Sequence, residues 1–464
     1  MLSRFIGSTA GTGLQQAVIL YKTNDAGSRS LINLFSFHNY NNVFSLNSHD
    51  KDTNLERKKV NNETKKTLFP LKFVQIALSL QQYYEIMDNL FKQNIVNAAR
   101  VMVVGCGALG NEVLKNLVQM GVRQMTVVDY DTIEPDNLTR SVLFTTDDAQ
   151  QGRRKVDVVA ERLKAMNSDV QVTTICGDIA YDVGLGLVRS MDVVIGCVDN
   201  RWARYCINRL CMRAGKPWVD GGIDRLEGTA RVFRPGENCY ACNLGPEGLR
   251  DLRYRMPCAG IVRRDMEAGK APTTSIVASV IGAVEVQEAL KLLHKEQLAT
   301  GELTSLCGKM FCYEGQHLTT RLVNFKAYDD DCAVHDCWEP VVKSKITADM
   351  TVCEALEQLR QLTSDAQPHI QLTDCFVDWV EHRTDGQQTQ VMKPGRDVAD
   401  YLERHTALKG APQHALLQHE YSVLDDSFPY QELTLTEVGI PAWDVLQVTT
   451  TRNKVYVEMN DVRR

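Results

Sequence analysis

The chain lacks any apolar run approaching the roughly 18–20 residues of a membrane helix, and the stretch around Arg4 has no clean apolar segment ending in a small-residue cleavage site. Neither a spanning segment nor a signal peptide is expected. Basic charge is not in excess: 52 Lys and Arg face 58 Asp and Glu, giving a net charge of −6 and no electrostatic footprint for nucleic acid. No internal repeat is visible. At 464 residues the chain is long enough for about two to four domains with proper cores. Its 14 cysteines do not resemble the disulfide framework of a short secreted domain. Over this length they read as metal-binding and catalytic thiols in a reducing compartment, and the expected location is cytoplasmic.

Residues 35–66 are rich in Asn, Lys, Asp and Ser, with too little apolar surface to offset ordering entropy, so 1–67 is expected to be a polar, mobile N-terminal extension. From 68 to 99 apolar residues recur at helical spacing (Ile76, Tyr83, Ile86, Leu90) and predict helices leading into a first strand. Between 100 and 235 strands and helices alternate. Strands are expected at 100–104, 124–129, 170–175 and 192–197, with helices at 109–120, 153–166 and 201–214, two of them stopped by Gly121 and Gly215. This alternation predicts an α/β class: a Rossmann-like, doubly wound, mostly parallel sheet. Helix 153–166 carries its apolar stripe on Val156, Val159, Leu163 and Met166. The strand within 228–236 is expected to be antiparallel at the sheet edge, and an apolar helix follows at 276–294. The composition changes at 338, and 338–464 reads as a separate small α+β domain with a helix starting near Thr351 and closing strands at 445–449 and 454–459.

The chemistry begins where the strand Arg100-Val-Met-Val-Val runs into Gly105-Cys-Gly107-Ala-Leu-Gly110, with Asp129 at the end of the next strand. This pattern sets backbone N–H groups and a helix N-terminus against a phosphate and an acid against a ribose. On that motif alone a nicotinamide or flavin oxidoreductase stands equally well. Further along come Asp131, Asn137-Leu-Thr-Arg140, Lys155 opening a helix, and Asp199-Asn200 at a strand end. A parallel sheet places ligands beyond the carboxyl ends of its strands, so Asp129, Arg140, Lys155 and Asp199 are expected to converge. Two cations neutralising phosphates and an acid able to hold Mg²⁺ suit triphosphate chemistry better than hydride transfer. Separately, Cys239-Tyr-Ala-Cys242 and Cys332-Ala-Val-His335-Asp-Cys337 have the spacing of two halves of a closed zinc site, a staple between distant segments. Cys307 and Cys312 flank a strand-like Met310-Phe311 and are expected in the core.

Taken in order, the glycine loop, Val127-Val-Asp-Tyr-Asp131, Asn137-Leu-Thr-Arg140, Lys155, Cys197-Val-Asp-Asn200 and Cys239-Tyr-Ala-Cys242 resemble the ThiF/MoeB and ubiquitin-activating (E1-like) enzyme superfamily, over roughly 98–336. The resemblance implies an adenylation domain at 68–337 with a zinc site and a crossover loop. It implies ATP, Mg²⁺ and Zn²⁺ as cofactors, with Gly105, Gly107, Gly110, Asp129, Asp131, Asn137, Arg140, Lys155, Asp199 and Asn200 around the nucleotide. The superfamily's second cysteine pair, laid on this sequence, selects Cys239, Cys242, Cys332 and His335 as metal ligands, with Cys337 competing for the fourth place. It also implies that Cys258, sixteen residues past Cys242, is a thioester-forming nucleophile. Arg255, Arg263 and Arg264 nearby would favour its thiolate, while a small buried thiol is the plain alternative. One departure stands out: no arginine lies between Lys72 and Arg100, where many members carry one that reaches the partner subunit's phosphates. Either Lys92 replaces it or a partner supplies the group. A glutamine usual before the helix lysine is replaced by Arg153.

The expected activity is ATP-dependent adenylation of the C-terminal glycine of a ubiquitin-like or sulfur-carrier protein, releasing pyrophosphate, with Cys258 as the following acyl acceptor. A homodimer or heterodimer is expected, with no nucleic acid or membrane partner. The alternatives are a non-catalytic scaffold subunit of a heterodimeric activating enzyme, an enzyme activating a small-molecule or tRNA carboxylate, and an NAD-dependent oxidoreductase. The tail shows no rhodanese-like Cys loop and reads as a β-grasp-like or partner-recruiting module.

Overall fold

The computed structural model describes residues 2–7, 14–23, 29–38, 44–45, 91–245, 248, 252, 273–326, 328–332, 334–382, 388–398, 401 and 414–461. The chain divides into two compact units, 1–93 and 94–464.

In the first unit β1 (Leu2–Gly7), β2 (Leu14–Thr23), β3 (Arg29–His38) and β4 (Phe44–Ser45) form an antiparallel sheet in sequence order. This differs from the mobile extension expected over 1–67. The polar segment that motivated that expectation lies mostly after β3, whereas Ala17-Val-Ile-Leu-Tyr and Leu31-Ile-Asn-Leu-Phe are β-branched and aromatic runs that favour a pleated sheet. The helices expected from 68 fall outside the described residues, except for the final α1 (Gln93–Ala98).

The second unit is built on an eight-stranded sheet. Its strands and helices, in chain order, are β5 (Arg100–Val104), α2 (Ala108–Met120), β6 (Gln124–Val128), α3 (Thr146–Gln150), α4 (Lys155–Met166), β7 (Gln171–Ile175), α5 (Leu185–Arg189), β8 (Val193–Gly196), α6 (Arg201–Ala214), β9 (Trp218–Asp224), β10 (Glu227–Phe233), α7 (Ser275–Leu293), α8 (Lys295–Thr300), β11 (Lys309–Glu314) and β12 (Thr319–Asn324). The strand order is β12-β11-β10-β9-β8-β5-β6-β7, with β7, β6, β5, β8 and β9 mutually parallel. The chain winds outward from β5 in one direction and returns on the other side at β8. Such a switch point opens a crevice between the carboxyl ends of β5 and β8. The central strands are buried on both faces, which is why they read as continuous β-branched runs.

Helices α2 and α6 end where expected, at Gly121 and Gly215 in the left-handed conformation. In α4 the buried stripe is Val156, Val158, Val159 and Leu163, while Met166 at the helix end is 43% exposed. Strand β10 is antiparallel as expected but not at the edge, because β11 and β12 continue the sheet beyond it. Only the Met310-Phe311 core of that hairpin carried a sequence signal.

The remainder comprises β13 (Val341–Lys343), α9 (Val352–Thr363), β14 (His369–His382), β15 (Gln388–Pro394), β16 (His414–Leu424), β17 (Val445–Thr449) and β18 (Lys454–Glu458). They make a second sheet, β13-β18-β17-β14-β15, with β16 also on β14. Thr351 caps α9 reciprocally with Glu354, and Val352, Ala355, Leu356 and Leu359 bury the helix on the sheet. This part is α+β, yet it shares one compact unit with the nucleotide sheet rather than standing apart. The reason lies in specific contacts. Asp444 accepts the Leu185 N–H at 2.8 Å, the Trp443 carbonyl accepts the Leu187 N–H at 3.1 Å, and Arg396 donates to the Tyr181 carbonyl at 2.8 Å. Trp338 stacks on Tyr456 at 4.7 Å under the Arg213 guanidinium, 4.4 Å from its ring.

Candidate functional site

At the switch point Gly105 has φ 95°, and a Cβ there would lie 2.5 Å from the Cys197 carbonyl oxygen, so only glycine lets β5 turn beside β8. A Cβ at Gly110 would fall inside contact with the Gly105 carbonyl, so the first turn of α2 lies against the loop. Gly107 is the N-cap of α2, supplies no side-chain cap, and has open space at its Cβ position. The helix start thus has no side-chain cap and open space at Gly107, an arrangement that can accept phosphate. Asn111, fully buried, holds the loop: its amide donates to the carbonyls of Cys106 (2.7 Å) and Gly107 (3.0 Å), and its oxygen accepts the Leu143 N–H at 2.8 Å. Sequence reasoning missed this brace, because an asparagine inside a helix carries no signal of what it will meet.

Asp129, just past β6, accepts the Cys106 N–H at 2.6 Å and the Asp131 N–H at 2.8 Å, which fixes it against the glycine loop. Burial pushes its carboxyl above the ordinary range, against the pull of Lys155 and these two bonds. Lys155, the first residue of α4, sets its ammonium 2.6 Å from Asp131 with only 9% of its side chain exposed. Burial pulls that ammonium down, but the charges of Asp129 and Asp131 outweigh it and its pKa is raised. Asp199, just past the end of β8, is near enough for its charge to be felt at Tyr130. The Tyr130 phenol between these groups is pushed up first by burial, then by the charges of Asp131, Asp178, Asp199 and Asp129. Asp178 is an acid the sequence did not single out.

The structure thus brings Asp129, Asp131 and Lys155 to one place, with Asp199 linked to them through the Tyr130 phenol, on which the charges of Asp131, Asp199 and Asp129 all act. Arg140 and Asn137 are engaged locally. Arg140 pairs with Asp136 at 2.9 Å, and Asn137 is buried, accepting the Glu134 N–H at 3.1 Å within the turn 135–139. Asn200 caps α6, accepting the Ala203 N–H at 2.8 Å and donating to Asp199 at 3.3 Å, so it positions the acid beside it. Arg153 is held by Asp148 (2.8 Å) and Glu161 (2.7 Å), and Lys92 belongs to the first compact unit.

Below the strand ends lies a buried ionic cluster that sequence reasoning also missed. Arg204 donates to Asp220 (2.9 Å), to the Val198 carbonyl (2.6 Å) and to the Gly221 carbonyl (3.0 Å), tying the loop after β8 to β9. Arg231 binds the other oxygen of the fully buried Asp220. The only available signal was that Arg204 sits one turn after the Asn200 cap.

The cysteine and histidine ligand atoms also converge. Cys239, Cys242, Cys332 and His335 each offer an atom, all within 4.8 Å of one another. The separations are 3.6 Å (Cys239–Cys242), 3.8 Å (Cys239–Cys332) and 3.2 Å (Cys242 to His335 Nε2). Ligands about 2.0–2.3 Å from a tetrahedral zinc ion stand roughly 3.3–3.8 Å apart, so the cluster fits zinc. Burial pushes the Cys239 thiol up to about 12. Tyr328 stacks on His335 at 4.3 Å. Cys337 is exposed, with its sulfur 3.8 Å from the Arg213 carbonyl rather than in the cluster. Cys258 lies outside the described residues. Cys307 and Cys312 are half-buried rather than core, and Cys307 donates to Glu237 at 2.5 Å.

Comparison with known proteins covers the same region. The ThiF family pattern matches residues 80–334. The chain is 33% identical over 238 residues to the adenylyltransferase and sulfurtransferase MOCS3 of Mus musculus, covering 51% of this chain and 47% of that protein. It is 32% identical over 272 residues to the SAMP-activating enzyme E1 of Haloferax volcanii, covering 58% of this chain and 92% of the relative. It is 34% identical over 235 residues to the sulfur carrier protein adenylyltransferase of Thermus thermophilus, covering 49% and 79% respectively. The chain spans about half the length of the MOCS3 relatives it matches. With a glycine loop at the switch point of a doubly wound sheet and a family match over more than half of its length, the chain belongs to the ThiF family.

Proposed function

We propose that this protein adenylates the C-terminal carboxylate of a ubiquitin-like or sulfur-carrier protein at the crevice between β5 and β8. A carboxylate oxygen of the carrier forms a bond to the α-phosphorus of ATP while the bond from that phosphorus to the bridging oxygen of pyrophosphate breaks. The electron pair leaves with pyrophosphate, no proton is transferred, and the product is an acyl adenylate. Catalysis of this kind is positioning plus charge stabilisation. The loop 105–110 and the start of α2 cradle the phosphates, and Asp129 binds the ribose. Lys155 exchanges Asp131 for a phosphate oxygen, and Arg140 exchanges Asp136 in the same way. The oxygen-only donors Asp199 and Asp178 suit a hard cation, so Asp199 would hold Mg²⁺, which neutralises charge on the pyrophosphate. Capture by Cys258, whose thiolate would attack the acyl carbon and release AMP, belongs to the proposal on the strength of its sequence context alone.

The observation that carries this reading is the Lys155–Asp131 pair beside Asp129 and the open glycine loop. A buried ammonium on a carboxylate beside the glycine loop suits neutralisation of triphosphate charge better than hydride transfer. Free thiols at every described cysteine suit a reducing compartment such as the cytoplasm, and no described helix is long and apolar enough to cross a membrane. A dimer, with the partner supplying the arginine missing between 72 and 100, completes the reading. A second reading, a non-catalytic scaffold subunit, draws on that missing arginine and on the engagement of both candidate phosphate cations by carboxylates. Pyrophosphate–ATP exchange with β-grasp proteins ending in Gly-Gly separates the two. Carrier-dependent exchange is expected, and Mg·ATP binding without exchange for any carrier assigns the scaffold. A thermal shift with NAD(H) but none with Mg·ATP overturns both.

A further inference from the structure

Away from the nucleotide crevice, a cleft of about 60 Å³ lies where the C-terminal sheet meets α5 and α6. At roughly 10–15 Å³ per water position it has room for about four waters, the size of a carboxylate or a tetrahedral oxyanion. Three guanidinium groups line it: Arg209 and Arg213, one turn apart on α6, and Arg396, just past β15. Arg213 is held on one side by Asp336 at 3.4 Å and by the Trp338 ring, and Arg396 by the Tyr181 carbonyl at 2.8 Å and by Asp182 at 3.5 Å. Arg209 is different. Its Nε is buried without a hydrogen-bond partner, and among the described residues the guanidinium forms no ion pair. Arg209 is half-buried, and leaving its Nε–H desolvated without an acceptor is unfavourable. The acids lining the cleft do not accept from its Nε–H, although the charges of Arg213 and Arg209 are felt at Asp444. Asp374 is turned to the Arg396 backbone N–H at 2.8 Å, and Asp444 to that of Leu185 at 2.8 Å.

We propose that this cleft binds a small oxyanion, a phosphate or carboxylate group, seated on Arg209 and bridged to Arg213 and Arg396. The anion would thus join α6, which begins beside Asp199, to the C-terminal sheet. The site is separate from the adenylation crevice and does not rest on the activity proposed there. Inorganic phosphate and acetate, titrated into the full chain at constant ionic strength and followed by heat and by thermal midpoint, test it. The variants are Arg209→Gln, which breaks no bond within the described residues, and Lys155→Ala in the crevice. Saturable binding is expected in the wild type, weakened about tenfold or more by Arg209→Gln, as loss of charge-assisted bonds implies, and retained by Lys155→Ala. Unliganded Arg209→Gln should be at least as stable as the wild type and should keep whatever pyrophosphate exchange the wild type shows. Tighter binding of phosphate assigns a phosphoryl ligand, and tighter binding of acetate assigns a carboxylate such as a peptide terminus. The proposal is overturned if neither anion binds saturably, if Arg209→Gln binds as well as the wild type, if Lys155→Ala abolishes binding, or if the response follows ionic strength alone.

Discussion

The nucleotide crevice and the cysteine–histidine cluster both crowd ionisable groups together, and they handle the resulting charge in opposite ways. In the crevice the buried cation already has a carboxylate, Lys155 on Asp131, and beside the crevice Arg140 is held by Asp136. Lys155 is therefore already satisfied by a counter-charge, and an anionic ligand would reach it by exchange with Asp131. The cluster has no such balance. Its four ligand atoms lie within 4.8 Å of one another, and deprotonating the thiols there without a cation places like charges in contact. One region carries its own counter-charge, and the other calls for a cation to supply it.

The largest expected effect follows from that difference. Chelation, or Cys239→Ser, should destabilise the second unit by well over 3 kcal/mol, a fraction of the roughly 10–16 kcal/mol that a structural zinc supplies to a small domain. The damage should reach the tail, because Trp338 sits three residues past His335 and stacks between Arg213 and Tyr456. Metal analysis with denaturant unfolding checks this, and a metal-free chain of unchanged stability would remove the site.

Lys155→Ala comes next, and it should separate activity from stability. Exchange should fall about 10²–10³-fold, as when a transition-state donor is removed. The chain should still fold, with Asp129 and Asp131 left as neighbouring acids. Adding Asp131→Asn should relieve that repulsion without restoring activity. Because the Lys155 pKa is raised, the pair's stabilisation is fully present at neutral pH and is lost only as pH climbs through the raised value. A loss of pair stability between pH 6 and 8 would refute the assignment.

Asp444 extends the contrast to a carboxyl that the fold compensates only in part. It is fully buried at the junction with α5, and burial raises its pKa to about 6 against the bond from the Leu185 N–H. A raised carboxyl stabilises the fold below its unfolded value of about 3.9 and loses that contribution as pH rises to about 6, a span worth up to about 3 kcal/mol. Asp444→Asn should flatten the stability profile between pH 4 and 6. An unchanged slope in the variant would place the titration elsewhere.

Much of this balance could be read from local sequence. Gly105, Asp129 and Lys155 announce themselves because a turn, a strand end and a helix start each demand a residue type within a few positions. The helix stops at Gly121 and Gly215 were legible for the same reason. His335 against Cys337 was not settled by spacing, because both sit within one turn and only the chain path brings the imidazole to Cys242. Strands β9, β12 and β14 were not expected although each has a partner close in sequence, and a half-exposed hairpin such as β11–β12 carries no clean alternation. Asn111, Arg204 and Asp220 were invisible because their roles depend on burial, which no single segment records.

The smallest expected effect concerns Glu285, on the inward face of α7. Its side chain is completely buried, one oxygen has no hydrogen-bond partner, and Cys197 lies 4.0 Å from the other. Burial raises its pKa well above the carboxylate range, and Asp220 adds to the rise while Arg204 opposes it. Arg204 is already committed to Asp220 and two carbonyls, so Glu285 is accommodated by keeping its proton. A neutral acid and an amide of the same shape are nearly interchangeable, so Glu285→Gln should change stability at pH 7 by less than about 1 kcal/mol. Glu285→Ala should cost about 2 kcal/mol or more through the cavity left between α7 and β9. Denaturant unfolding of the two variants decides the matter: a Gln variant as damaged as the Ala variant would mean that Glu285 is ionised and paired with Arg204, and that the buried cluster, like the crevice, carries its own counter-charges.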